Sequence, residues 1–286
     1  VSSASRYLYG DHETRLEMPA TIEQVRTAIL ATENAAAALG SHLQQPELVS
    51  ISGLPFYRHL YYDDLLLSYL KCVRAVSSLN ACVVLVESGY VFEVHALCRS
   101  IDECSEDVFF FAKPDGENGA ASASQERALN EFYQEEWTDL DNLLGSQQPR
   151  DRVPRQKVHA RMGRLGGSGM NPSDLQALQG AIHKTFSGFI HSAYVHIMEL
   201  FGGKARGFHL RGMLGTPRMD ECLQSLASCA YRAMVATEVV AGRCHVEQIY
   251  GELKEARQRY YADAELGIKG DPAVLMAGLK GKGRCS

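Results

Sequence analysis

Very little in this sequence advertises chemistry. Among its 286 residues there is no Cys-x-x-Cys pair, no Gly-x-Ser-x-Gly elbow, no phosphate-binding Gly-x-x-x-x-Gly-Lys-Ser/Thr loop and no His-Glu-x-x-His metal motif. Charge of one sign is not in excess either. The chain is 22% charged with a net charge of -5 and a pI near 6.1, so no global basic field exists to recruit nucleic acid. The most apolar window, Leu79 to Val86, stops at Glu87 and falls well short of the roughly 20 residues that a bilayer needs. Val1 to Gly10 has no apolar central run of the signal-peptide kind. Strands alternating with helices are missing, which disfavours doubly wound and barrel folds.

What the chain does have is helical periodicity, with 45% hydrophobic residues to fill a core. The spacing predicts an all-α, antiparallel multi-helix bundle. A first helix opens after Pro19, with Thr21 as cap and Gln24 three residues on, and runs to about Leu39 before Gly40. A second begins at Leu54 and keeps its period to Glu87. A third covers Tyr90 to Ala112, stopped by Lys113-Pro114-Asp115-Gly116. Ser124 is a cap for a fourth, reaching Leu144. A short basic helix follows at Arg155 to Arg164, then a long one from Asn171 to Phe201, and a last one from Pro217 to about Tyr261 with a bend at Gly242. Residues 208–214 alternate weakly and give the only extended segment. The expected organisation is one bundle domain over residues 1–263, with 1–17 as an N-terminal arm, 146–170 as a linker carrying the basic helix, and 264–286 as a glycine-rich flexible tail. The eight cysteines, several inside helical patterns, read as reduced core residues of a cytoplasmic protein.

Two clusters of polar residues stand out against this background. On the third helix His95, Arg99, Asp102, Glu103 and Glu106 fall within an arc of about 100°, while Val91, Val94, Leu97, Ile101, Val108 and Phe109 cover the other side. A helix apolar over most of its surface is central, and polar groups on it need partners. On the Asn171 helix Ser187, His191, Tyr194 and Met198 share one stripe, beside the apolar Phe186 and Ile190. The two helices are expected to face each other, so that His95, Arg99, Glu103, Ser187, His191 and Tyr194 form a polar pocket. A separate basic patch comprises Arg152, Arg155, Lys157, His159, Arg161 and Arg164. It lacks the interleaved aromatics that stack on bases, so contact with nucleic acid is only weakly suggested. His95, Glu103 and His191 are a set that helix packing could bring to a metal. They lack the spacing of a known metal motif, and neither metal nor cofactor is expected.

Ala96-Leu-Cys-Arg99-Ser100-Ile-Asp-Glu103 resembles the Arg-Ser-x-x-Glu motif of an uncharacterised family of all-helical bacterial proteins. Phe186-Ser187-Gly-Phe-Ile-His191 resembles that family's second motif, Ser-x-x-x-His, and Phe208-His-Leu-Arg-Gly212 its following extended piece. The resemblance spans about Leu54 to Tyr250. It implies a bundle whose motif helices meet around Arg99, Glu103, Ser187 and His191, and it implies no reaction. More loosely the chain is similar to HEPN bundles, whose nucleases pair an Arg with a His a few residues on; Arg152 and His159 carry that spacing here, interrupted by Pro154. Two functions follow as expectations. One is a cytoplasmic helical interaction or assembly module that binds a protein partner or itself, with no membrane role. The other is a HEPN-like ribonuclease or other hydrolase using an interhelical Arg/Glu/His pocket.

Overall fold

A computed structural model describes residues 20–116, 120–165, 171–202, 206–264 and 266. It is predominantly α-helical, with two small strand pairs among the described residues. The helices are α1 (Ile22–Gly40), α2 (Asp64–Glu87), α3 (Val91–Phe110), α4 (Ala123–Tyr133), α5 (Arg155–Leu165), α6 (Pro172–Ile190), the short α7 (Tyr194–Ile197), α8 (Arg218–Arg243) and α9 (Glu247–Asp263). Strands β1 (Glu47–Ile51) and β2 (Leu54–Arg58) form one antiparallel hairpin, and β3 (Phe201–Gly202) and β4 (Gly207–Phe208) another.

Helix α3 is the hub. It packs against α2, α8, α6 and α5, while α1 and α9 close the bundle over α8. The core between them is dense with small residues and aliphatics: Leu39, Leu79, Ile101, Leu226 and Met234 are fully buried. A smaller cluster under α4 and α5 joins Leu67, Phe110, Phe111 and Val158 to Phe132 and Leu129. Ala264 and Leu266, at the start of the expected tail, are buried in the main core. The rest of that tail and the N-terminal arm lie outside the described residues, as do 166–170 of the expected linker.

Several local readings need correction, each for a physical reason. The helix expected from Leu54 starts only at Asp64, where Asp63 caps it by accepting from Leu66 N–H. The residues before it are the β1–β2 hairpin, turned by Ser52 and Gly53, both with positive φ. A two-residue loop with positive φ at both positions matches the strands' twist and sets the Ile51–Leu54 register. Ser122, not Ser124, caps α4 in a full capping box with Gln125. That helix ends at Tyr133 rather than Leu144: Gln134 is already extended, and farther on Asp139 and Asn142 accept from the backbone of Asp141 and Gly145 and hold that stretch in turns. The long helix from Asn171 stops at Ile190. There Ser192 takes a left-handed conformation and Ala193 N–H bonds back to the Gly188 carbonyl. The last helix is broken, not bent: His245, again with positive φ, separates α8 from α9. The expected extended segment is reduced to Gly207–Phe208 paired with Phe201–Gly202, plus a bridge from Leu210 to Gly212.

Helix α2 is longer and more apolar than the window Leu79–Val86 suggested. By length and composition alone its 24 residues could cross a bilayer, the only such helix among the described residues. It nevertheless carries Lys71 and Arg74 and packs on α1, α3 and α8. All seven described cysteines are unpaired, six of them buried; Cys285 lies outside the described residues. Burial pushes the Cys72 thiol up to about 12 and that of Cys104 to about 11, which suits packing rather than reactivity.

The turn between α2 and α3 shows how tightly the bundle's end is closed. Met213 N–H donates to the Gly89 carbonyl at 2.7 Å, tying the β4–α8 connection to it. Gly212 has φ +93°, and a Cβ there would run into the Ser88 carbonyl oxygen. Gly53 has φ +80° but open space around it. Gly212→Ala is therefore expected to lower stability by about 1–3 kcal/mol in urea melts, and Gly53→Ala by no more than about 1 kcal/mol. Equal losses at the two sites contradict the close-packed turn.

Candidate functional site

Four carboxylates of α3, Asp102, Glu103, Glu106 and Asp107, sit where its apolar arc ends, facing its neighbouring helices. Each meets a cation or imidazole from a different helix. Asp102, 2% exposed, lies 2.7 Å from Arg232 Nη2 of α8. Neither carboxylate oxygen makes a well-directed hydrogen bond, so attraction of charge alone holds the pair. Burial therefore outweighs Arg232 and pushes the Asp102 carboxyl up to about 6. Glu106, 3% exposed, is 3.0 Å from His159 Nε2 and 3.6 Å from Arg155, both of α5. Asp107 takes Arg155 at 2.5 Å and Lys71 of α2 at 2.7 Å. Burial drives Asp107 upward, but those two cations prevail and hold it below the usual carboxylate range.

Arg99 and Glu103 form the i,i+4 pair within α3, 2.6 Å apart. Across the interface Arg99 Nη2 meets His183 Nε2 of α6. Guanidinium has only donors, so His183 accepts there and carries its proton on Nδ1. Burial and the adjacent Arg99 charge lower the His183 imidazole to about 4. Glu103, 34% exposed, also approaches Arg155 at 3.5 Å. The His159 and His183 rings lie edge to face, 5.4 Å apart. Lys71, Arg99, Arg155 and Arg232 thus stand against Asp102, Glu103, Glu106 and Asp107, with two imidazoles between them.

Helix α6 does pack on α3, but the sequence-predicted residues on it are placed differently. The contact to Arg99 comes from His183, one turn before Ser187. His191 is an exposed C-cap residue, and Tyr194, 76% exposed, lies beyond the Ser192 turn. Ser187 is half-buried. His95 is buried at the other end of α3, where its Nε2 lies 3.3 Å from Ser225 Oγ and its ring contacts Phe186 and Phe189. Burial, with Arg218 and His196 nearby, lowers His95 to about 4. Among the described residues no three His, Cys, Asp or Glu side chains converge as a metal set.

The basic patch is split: Arg155, His159 and Arg161 turn inward, while Arg152, Lys157 and Arg164 are exposed. Arg155 and His159 serve the α3 carboxylates. Arg161 and Arg164 bind Asp115 at 2.7 and 3.0 Å, with Arg161 also donating to the Lys113 carbonyl. Arg152, 77% exposed, approaches Glu131 at 3.4 Å, and Lys157 is exposed. Sequence reasoning missed His183, Lys71, Arg232 and Asp107. Two of them left a signal: His183 lies four residues before Ser187 on the same stripe, and Arg232 interrupts the apolar run Cys229-Ala230-Tyr231 and Ala233-Met234.

Beside this network lies a cleft of about 510 Å³. Lys71, Glu103, Asp107 and Arg155 form its charged wall and Phe110, Phe132 and Val158 its apolar one. No protein-family model, curated protein or solved structure matches the chain.

The pH dependence of folding follows from the shifted groups. His95 and His183 have native values near 4, below the ordinary 6.5, so the unfolded chain binds more protons between those values. Their contribution to stability is full above about pH 6.5 and lost as pH falls toward 4. Asp102, raised to about 6, acts in the opposite direction between about pH 4 and 6, but it is one group against two. Urea melts should thus show net loss of stability on acidification through this window, on the order of 1 kcal/mol per pH unit per histidine. His183→Asn should flatten the slope. A variant slope equal to that of the parent contradicts the assignment.

Proposed function

We propose that this chain is a helical interaction or assembly module whose charged centre is structural. The observation that carries the reading is closure. Arg99 is only 8% exposed and already engaged by Glu103 and His183, and Asp102, Glu103, Glu106 and Asp107 each have a cation or imidazole within 3.0 Å. A site that works on a substrate needs polar groups left unengaged in an open cleft. The inward pairing of Arg155, His159 and Arg161 supports a protein partner rather than RNA. Seven unpaired thiols support a cytoplasmic setting.

Apolar surface supports association. The β1–β2 hairpin and the segment after it expose Leu48, Leu54, Tyr57, Leu60, Tyr61 and Tyr62. Within the described residues neither edge of this two-stranded sheet is paired with a further strand, and exposed apolar edges are templates for pairing. Self-association through this hairpin is the form of the reading under test. Light scattering on a sizing column is expected to give a multiple of the 31.5 kDa chain mass. Tyr57→Glu combined with Leu54→Glu should return it to 31.5 kDa. A parent protein that stays monomeric up to high concentration contradicts assembly.

A second reading, a HEPN-like ribonuclease or other hydrolase, is favoured by one observation: Glu103 and Arg155 reach the open cleft, and His183 beside them is about a quarter exposed. Against it, His159 is buried on Glu106 while Arg152 projects toward solvent, so the HEPN-like spacing does not converge on one catalytic pair. RNA cleavage abolished by both Glu103→Gln and His183→Asn supports the hydrolase reading.

A further inference from the structure

The opposite end of α3 leads to a groove that the charged network does not touch. It has a volume of about 690 Å³, within the range of small-molecule sites. Tyr194, Met198, Phe201 and Met213 supply its apolar lining, and Glu199 and Arg218 its charges. Arg218 is shared between two carboxylates, so Glu199 is only loosely paired. Arg218 Nη1 binds Glu221 at 2.7 Å, one turn on in α8, and stands 3.9 Å from the nearer Glu199 oxygen. Glu199 Oε1 is buried and, among the described residues, accepts no hydrogen bond.

An unpartnered buried carboxylate oxygen is among the least favourable groups in a folded protein, and it calls for an explanation. Here the explanation lies in where it sits. Glu199 lines a mostly apolar and aromatic groove that also holds Arg218, His209 and Thr216, and Glu199, Arg218 and Glu221 together carry one negative charge in excess. What such a site lacks is a cationic N–H donor on an apolar body. An ammonium group brings three donors and no acceptor, so it can satisfy the free oxygen while its stem covers Met198, Met213 and Phe201. The aromatic faces of Tyr194 and Phe201 add attraction for a cation at the groove mouth.

We infer that the groove between α7 and the start of α8 binds a small organic ammonium compound, with Glu199 as the counter-ion. The site is separate from the hairpin and from the α3 network, and it stands whether the chain is monomeric or assembled.

The probes are hexylammonium, hexanol and hexanoate, which share a stem and differ in the head group. Binding is read by amide chemical shifts of the full chain. Hexylammonium is expected to shift residues around Met198, Phe201 and Met213 saturably and to bind at least about tenfold more tightly than the other two. Glu199→Gln should remove that preference, a loss of about 10- to 100-fold, as expected for a charge-assisted hydrogen bond. Met198→Lys, at a partly exposed position that tolerates charge, should block hexylammonium without unfolding the bundle and keeps the test decisive should Glu199→Gln fold poorly. Equal binding of hexanol or hexanoate, a retained preference in Glu199→Gln, unchanged binding in Met198→Lys, or no saturable binding of hexylammonium overturns the assignment.

Discussion

The fold depends on getting four carboxylates of one central helix neutralised. Asp102, Glu103, Glu106 and Asp107 occupy consecutive turns of α3, and all but Glu103 are mostly buried. Removing charges from water costs several kcal/mol each unless partners compensate. That requirement specifies the neighbours: α8 must bring Arg232, α5 must bring Arg155 and His159, α2 must bring Lys71, and α6 must set His183 against Arg99. Apolar packing alone would accept several arrangements of these helices around α3. The charges accept far fewer, because each must find a partner from a different helix.

The same requirement explains why α5 is basic on the face that it buries. A run with Arg155, Lys157, His159, Arg161 and Arg164 looks like a surface strip for an acidic partner. In the fold its acidic partner is internal, namely α3 and Asp115 just after it. A balanced network of this kind leaves little charge to act on a substrate. Among the described residues two other surfaces stand out: the exposed apolar β1–β2 hairpin, and the groove beside α7 that Glu199 lines.

The helical class, the capped start at Thr21, the extent of α3 and its role as hub were legible in the sequence, because capping residues and wide apolar arcs are local signals. So was the need of Arg99 and Glu103 for a partner on α6. The identity of that partner was not. Periodicity runs on past Ile190 as if one helix reached Phe201, and nothing in the pattern shows that Ser192 turns left-handed and carries Tyr194 away. Once that turn is made, the shared stripe ends, and the contact falls to His183, one turn earlier. Lys71 and Arg232 were missed for a different reason: each sits on a helix with no other candidate site residue, and its role appears only when α2 and α8 are laid against α3.

The central claim is that these charges hold the helices together, and the Asp102–Arg232 pair is its most direct test. Asp102→Ala, Arg232→Ala and the double variant can be compared by urea unfolding. Each single change leaves a mostly buried charge without its partner and should cost about 3–5 kcal/mol. The double variant should lose less than the sum of the two, with a coupling of about 1–3 kcal/mol. Strictly additive losses below about 1 kcal/mol each contradict the claim and would mean that α3 is held by its apolar face alone.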